Sequence, residues 1–274
     1  MKKLTPLIGT FLGLLATLSA HAYDFRNQVT ADGVEYGFHQ GEKNSPLLIV
    51  ITTDIKESMS DTYSPIGGIL SSKGYSIASI DVTCHGKDLK KKEKYGLDCW
   101  RSRADNTENN VFDTYISNLK STISDIADKN ATDVKGITLL GVSRGGYIAM
   151  KAAAEIPEVS TVIALAPVTD IFRLREFDGS TASKSLYSLA PYYPELSKKH
   201  LFIQINNDDD RVGTAQAIAL ISGVTAAGSQ GAVDLTAVLT PKKGHSTSEH
   251  EMAAAWAYSK RNSSTVDGAQ ISAP

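Results

Sequence analysis

The chain has 274 residues, 42% of them hydrophobic, and carries 28 Lys+Arg against 30 Asp+Glu, a formal net charge of −2. That balance excludes the basic surface with which nucleic-acid-binding domains neutralise phosphates, so no nucleic-acid partner is expected. The apolar share can build a sizeable core, and the length suits a single α/β domain.

The chain opens MKKLTPLIGTFLGLLATLSAHA. Lys2 and Lys3 form a charged start, Leu7 to Leu18 is uncharged and apolar, and Ala20-His21-Ala22 is a small-x-small cleavage site. This pattern predicts a signal peptide over residues 1–22, a domain over residues 23–274, and a periplasmic or secreted protein. The apolar run is shorter than the about 20 residues of a membrane-spanning helix, and no later segment is long and apolar enough, so no stable membrane insertion is expected. No cysteine follows the cut, which removes a lipoprotein anchor. Loss of Lys2 and Lys3 moves the net charge from −2 to −4.

Beyond Tyr23, short apolar runs alternate with helical patterns. Tyr23 to Gln40 is expected to supply leading antiparallel strands. Continuous apolar, β-branched runs follow at Leu47–Thr53, Tyr75–Val82, Gly136–Gly141, Ser160–Ala166, Leu201–Ile205 and Val233–Thr240. Such runs suit parallel strands covered on both faces. Phe112, Ile116, Leu119, Ile123 and Ile126 keep helical spacing, and Tyr147–Ile156, Ala215–Val224 and Glu249–Tyr258 read as further helices. The alternation predicts an α/β fold, a mostly parallel central sheet with helices on both faces. Residues 169–199 form a long connection, rich in Phe and Tyr, expected to make a small helical cap beside the site. Residues 262–274 are expected to form a flexible tail.

Cys84 and Cys99 both lie in the exported part. In an oxidising compartment such a local pair predicts a disulfide. Between them, His85 has no metal-ligand spacing around it and is expected to be structural. Lys90, Lys91, Lys92 and Lys94 read as a solvated face.

The stretch GITLLGVSRGGYIAM places one serine, Ser143, where a strand must turn sharply into a helix. At such an elbow, side chains at 141 or 145 would clash, and both positions are glycine. The serine then lies near a helix N-terminus, where backbone N–H groups favour a developing negative oxygen. A serine hydroxyl needs a base, and the base needs an orienting acid. After Ser143 the chain holds three histidines. His200 precedes a strand, His250 lies in a helix, and His245 follows the last strand on the rim that carries Ser143. The acid should end the fifth strand, where LFIQINNDDDRVGT offers Asp208, Asp209 and Asp210, with Asp170 a substitute from the fourth strand.

In these residues the chain resembles the α/β-hydrolase superfamily, in its prolyl-oligopeptidase-like and dienelactone-hydrolase-like branches. Gly141, Ser143, Gly145 and Gly146 match the G-x-S-x-G-G pattern, and Gly244-His245 matches the G-H. With Val212 as the valine of the D-x-R-V-like turn, the resemblance implies Asp209 as the acid. The chain departs from the family at the loop after the first parallel strand, where VITTDIKES replaces H-G or H-G-G-G. The oxyanion-hole donors are therefore assigned to the N–H of Arg144 and, second, to that of Thr53 or Asp54.

With the expected signal peptide supplying export, the resemblance implies a serine hydrolase with a Ser143–Asp209–His245 triad, forming an acyl-enzyme and needing neither cofactor nor metal. A carboxylic ester is the expected substrate, with a peptide as the alternative. A non-catalytic binding protein on this scaffold is a third reading, opposed by the intact Ser, Asp and His. Oligomeric state leaves no signal in the sequence.

Overall fold

The computed structural model describes residues 23–60, 64–130, 132–228 and 231–269. The expected signal peptide, residues 1–22, lies outside them. A hairpin of β1 (Arg26–Val29) and β2 (Glu35–His39) leads into β3 (Pro46–Ile51), followed by the short helices α1 (Ile55–Ser58) and α2 (Pro65–Ser71) and by β4 (Ser76–Ile80). Then come α3 (Leu97–Asp105), α4 (Asp113–Lys129), β5 (Asp133–Val142), α5 (Arg144–Glu155) and β6 (Val159–Leu165). The chain ends with α6 (Tyr193–Leu196), β7 (His200–Asp208), α7 (Thr214–Ala227), β8 (Leu235–Lys243) and α8 (His250–Ala269).

The strands form one eight-stranded sheet in the order β1-β2-β4-β3-β5-β6-β7-β8. β1 and β2 pair antiparallel, β2 pairs antiparallel with β4, and every pairing from β4 to β8 is parallel. Alternate side chains of a strand point to opposite faces, and β3 shows the consequence. Leu47, Ile49 and Ile51 enter a core beneath α3, α4, α5 and α7, while Leu48 and Val50 enter a second core beneath α2 and α8. Burial on both faces is why these strands read as unbroken apolar runs. Tyr23, the first residue after the expected cut, packs into the second core.

Cys84 and Cys99 are bridged. Closing a loop of this length contributes about 3 kcal/mol in the chain-entropy model. The bridge joins the turn after β4 to α3, whose Trp100 donates its indole N–H to Thr83 O at 2.7 Å and packs edge-on against Phe112. Arg103 of α3 binds Asp88 and Glu93 of the bridged loop, whose Lys90, Lys91, Lys92 and Lys94 are exposed.

The structure departs from the sequence expectations in three places. The fifth parallel-sheet strand runs three residues past Ile205, because its buried Gln204 and Asn206 side chains pair with one another and with Thr240. The backbone of α8 runs helical through residues 262–269, where a tail is expected, and residues 270–274 lie outside the described residues. The connection over 169–199 holds three single-turn 3₁₀ helices and α6, but its aromatics mostly serve the core. Phe177 and Tyr187 are buried, and Tyr147 donates its hydroxyl to Tyr187 O.

Candidate active site

The site forms at the carboxyl ends of β5, β7 and β8. Ser143 caps β5 with φ 52° and ψ −114°, in the left-handed half of the map that L residues rarely visit. Its own backbone fixes it there. Ser143 N–H donates to Leu165 O at 2.9 Å, and Ser143 O accepts from Val168 N at 2.9 Å and Gly146 N at 3.0 Å. The glycines are required by close approach. A Cβ on Gly145 would lie 1.7 Å from Ile51 O, and one on Gly141 would lie 2.4 Å from Gly145 O.

Asp209 follows β7 and its side chain is fully buried. Its Oδ1 accepts the N–H groups of Arg211 (3.0 Å) and Val212 (3.2 Å), which leaves Oδ2 for His245 Nδ1 at 2.8 Å. Asp208 and Asp210 are exposed. His245 Nε2 lies 2.9 Å from Ser143 Oγ. With Nδ1–H donated to a carboxylate, Nε2 is the unprotonated nitrogen and accepts the serine O–H. The other candidates lie elsewhere. His200 pairs with Asp234 at the start of β7, His250 with Thr247 at the start of α8, and Asp170 caps the 3₁₀ turn beginning at Ile171.

The family model described as "Serine aminopeptidase, S33" matches residues 48–236. The chain belongs to this α/β-hydrolase family. Among solved structures it is similar to a putative dipeptidyl aminopeptidase IV from Bacteroides ovatus (14% identity, TM-score 0.63), over 87% of this chain and 35% of that one. It is similar to the acylaminoacyl peptidase of Pyrococcus horikoshii (14%, TM-score 0.62) over 88% of this chain and 40% of that one. It is also similar to the Pyrococcus furiosus esterase Pf2001 (16%, TM-score 0.58) over 88% and 91%. The chain thus spans about a third of the length of the first of these peptidases. No match was found among curated proteins.

His245 is held in place through residues that the motifs do not include. Asn206, fully buried in β7, donates Nδ2–H to Gly244 O (2.7 Å) and Ser246 Oγ (3.0 Å), on either side of His245. Its Oδ1 accepts from Thr240 Oγ1 at 2.6 Å, and Gly244 N–H donates to Asp208 O at 2.7 Å. The visible signal was the pair of amides, Gln204 and Asn206, inside an otherwise apolar strand.

At the expected oxyanion position, Arg144 N–H is the first amide of α5 and has no partner within the helix. Thr53 corrects the expectation. Its N–H is turned into its own loop, toward Ser58 Oγ at 3.3 Å, and its hydroxyl donates to Glu57. The neighbouring Asp54 N–H takes no partner among the described residues. Its side chain caps α1.

His85 is fully buried beside this site. Its Nδ1–H donates to Thr83 O at 3.0 Å, so Nε2 accepts from Arg144 Nη1 at 2.8 Å. Burial, reinforced by the Arg144 charge, lowers its pKa and keeps the ring neutral. Among the described residues no helix is long and apolar enough to cross a membrane.

Proposed function

We propose that the protein is an exported serine hydrolase that cleaves a carboxylic ester through an acyl-enzyme. The observation that carries this reading is the unbroken chain Ser143 Oγ–His245 Nε2 (2.9 Å) and His245 Nδ1–Asp209 Oδ2 (2.8 Å). Ser143 Oγ attacks the carbonyl carbon while its proton passes to His245 Nε2. Asp209 holds the imidazole and stabilises the cation formed. The N–H groups of Arg144 and Asp54 receive the oxyanion. The imidazolium returns its proton to the departing alcohol, leaving Ser143 acylated. Water, deprotonated by His245, then attacks the acyl carbon and releases the acid and free Ser143. Ester cleavage draws support from the esterase matched over 91% of its length, against 35% and 40% for the two peptidases. Peptide cleavage is the second reading, favoured by the family description itself. Export rests on the pattern of residues 1–22, with a mature chain starting at Tyr23.

A fluorophosphonate should label the wild type at Ser143 and leave Ser143→Ala unlabelled. A panel of p-nitrophenyl esters beside aminoacyl and prolyl nitroanilides then separates the two substrates. Turnover of esters alone supports the esterase, and turnover of amides supports the peptidase. Equal labelling of wild type and Ser143→Ala would remove Ser143 as nucleophile.

A further inference from the structure

The side chain of Arg144 has a task that the triad does not use. Arg144 follows the nucleophile and is half-buried, yet no carboxylate lies within ion-pair distance of it among the described residues. Its hydrogen-bond partner is the neutral His85, which engages one of the five N–H donors of a guanidinium. Carboxylates do lie farther off, but each has a closer partner. Glu57 accepts from Thr53 Oγ1 at 2.6 Å, and Glu176 binds Arg211 at 2.8 Å. Burial pulls the Arg144 guanidinium below its usual range; Tyr95, Glu176 and Glu57 oppose this, and the charge of Arg211 adds to it. A half-buried cation without a counter-ion is costly. The fold nevertheless builds a seat for it. Gly96, at φ +64°, has backbone so close that a Cβ there would lie 2.7 Å from Arg144 Nη1. Gly96 N–H donates to Cys84 O at 3.4 Å, and the Cys84–Cys99 bridge ties the two walls of the seat together. Tyr95 stacks edge-on against His85. His85 positions the guanidinium, since its own tautomer is fixed by Thr83 O.

We propose that the substrate carries a carboxylate, which the guanidinium of Arg144 binds beside the scissile carbonyl. This rests on the serine-hydrolase reading and adds the substrate class. A carboxylate suits a guanidinium because both are planar and can pair through two N–H···O bonds. The carboxylate can sit on the acyl side, as in the half-ester of a dicarboxylic acid, or on the leaving group.

Two probes separate those placements: mono-4-nitrophenyl glutarate and the butyryl ester of 4-hydroxybenzoate, each compared with neutral 4-nitrophenyl butyrate. The wild type should show at least about a tenfold higher kcat/KM for one charged ester, the scale of a charge-assisted hydrogen bond. The preference should shrink as salt is added. Arg144→Gln should collapse the charged-to-neutral ratio toward one, and Arg144→Lys should retain part of it. If the wild type cleaves charged and neutral esters equally, or if Arg144→Gln keeps the preference, the assignment is wrong. Fluorophosphonate labelling reports on the hydrolase reading separately. Labelling without a carboxylate preference overturns this inference alone, whereas absent labelling and absent turnover overturn both.

Discussion

The sharpest test of the site is Asp209→Asn, because the surroundings of this carboxylate dictate how an amide must sit. Oδ1 accepts two backbone N–H groups, from Arg211 and Val212, and Oδ2 accepts Nδ1–H of His245. An amide has one oxygen and one NH₂ to place in these two positions. Turning the NH₂ toward the backbone would strand two buried N–H donors, at about 1–3 kcal/mol each. The oxygen therefore stays on the backbone clamp and the NH₂ faces His245. Two donors then meet, and the imidazole escapes by moving its proton to Nε2, where it can no longer accept the proton of Ser143. In a triad of this kind the loss approaches about ten-thousandfold in kcat, equivalent to about 5 kcal/mol of barrier. The assay is kcat on the best ester of the panel, with circular dichroism to show that the fold is kept. Asp208→Asn and Asp210→Asn, both at exposed positions, should cost under about tenfold. A dead Asp208→Asn or Asp210→Asn beside an active Asp209→Asn would refute the reasoning.

Three further outcomes follow from the packing. Cys84→Ser/Cys99→Ser should lose about 3 kcal/mol and, for a domain of this size, about 6–12 °C in Tm; an unchanged melting curve in calorimetry would show that the bridge contributes nothing. Gly145→Ala should yield insoluble or unlabelled protein, since its Cβ would lie 1.7 Å from Ile51 O, and a soluble variant that a fluorophosphonate labels normally would contradict this. The hydrogen bond from Arg103 holds the Glu93 carboxyl at about 2, well below its ordinary 4.5. That depressed value stabilises the fold above pH 4.5 and the contribution is lost as the pH falls toward 2. The Tm difference between wild type and Arg103→Met should therefore narrow over that window in thermal scans.

Most of the site was legible because its signals are local. A nucleophile elbow needs small residues at fixed offsets from the serine, and the base and acid follow strand ends that are themselves apolar runs. What stayed hidden depends on contacts between distant segments. Arg144 and His85 are 59 residues apart in the chain, and Asn206 and Gly244 are 38 apart, and no spacing rule relates them. Helix α3 escaped because its apolar positions are few. Leu97, Cys99, Trp100 and Ala104 are buried, but they lie among charged residues in a segment that reads as a basic loop. Thr53 was a plausible donor by position alone, and only the Ser58 hydroxyl five residues on shows why its N–H is engaged.

Distant contacts also fix the backbone of the elbow itself. A non-glycine residue in the conformation of Ser143 costs of order 1–3 kcal/mol and persists only where its surroundings over-determine it. Here they do so from three sides. Its N–H and C=O are both bound by the backbone on either side of Ala166, the helix after it rests on the Ile51 carbonyl through Gly145, and Gly146 lies against Pro167, where a Cβ would come within 2.5 Å. Each of these contacts fixes backbone, and none engages the hydroxyl, which is left to His245. In the proposed mechanism the strain thus falls on the residue whose orientation must not relax when the oxyanion forms. It also means that substitutions at Gly141, Gly145 or Gly146 act on the position of Ser143 Oγ, although none of the three can touch a substrate through a side chain.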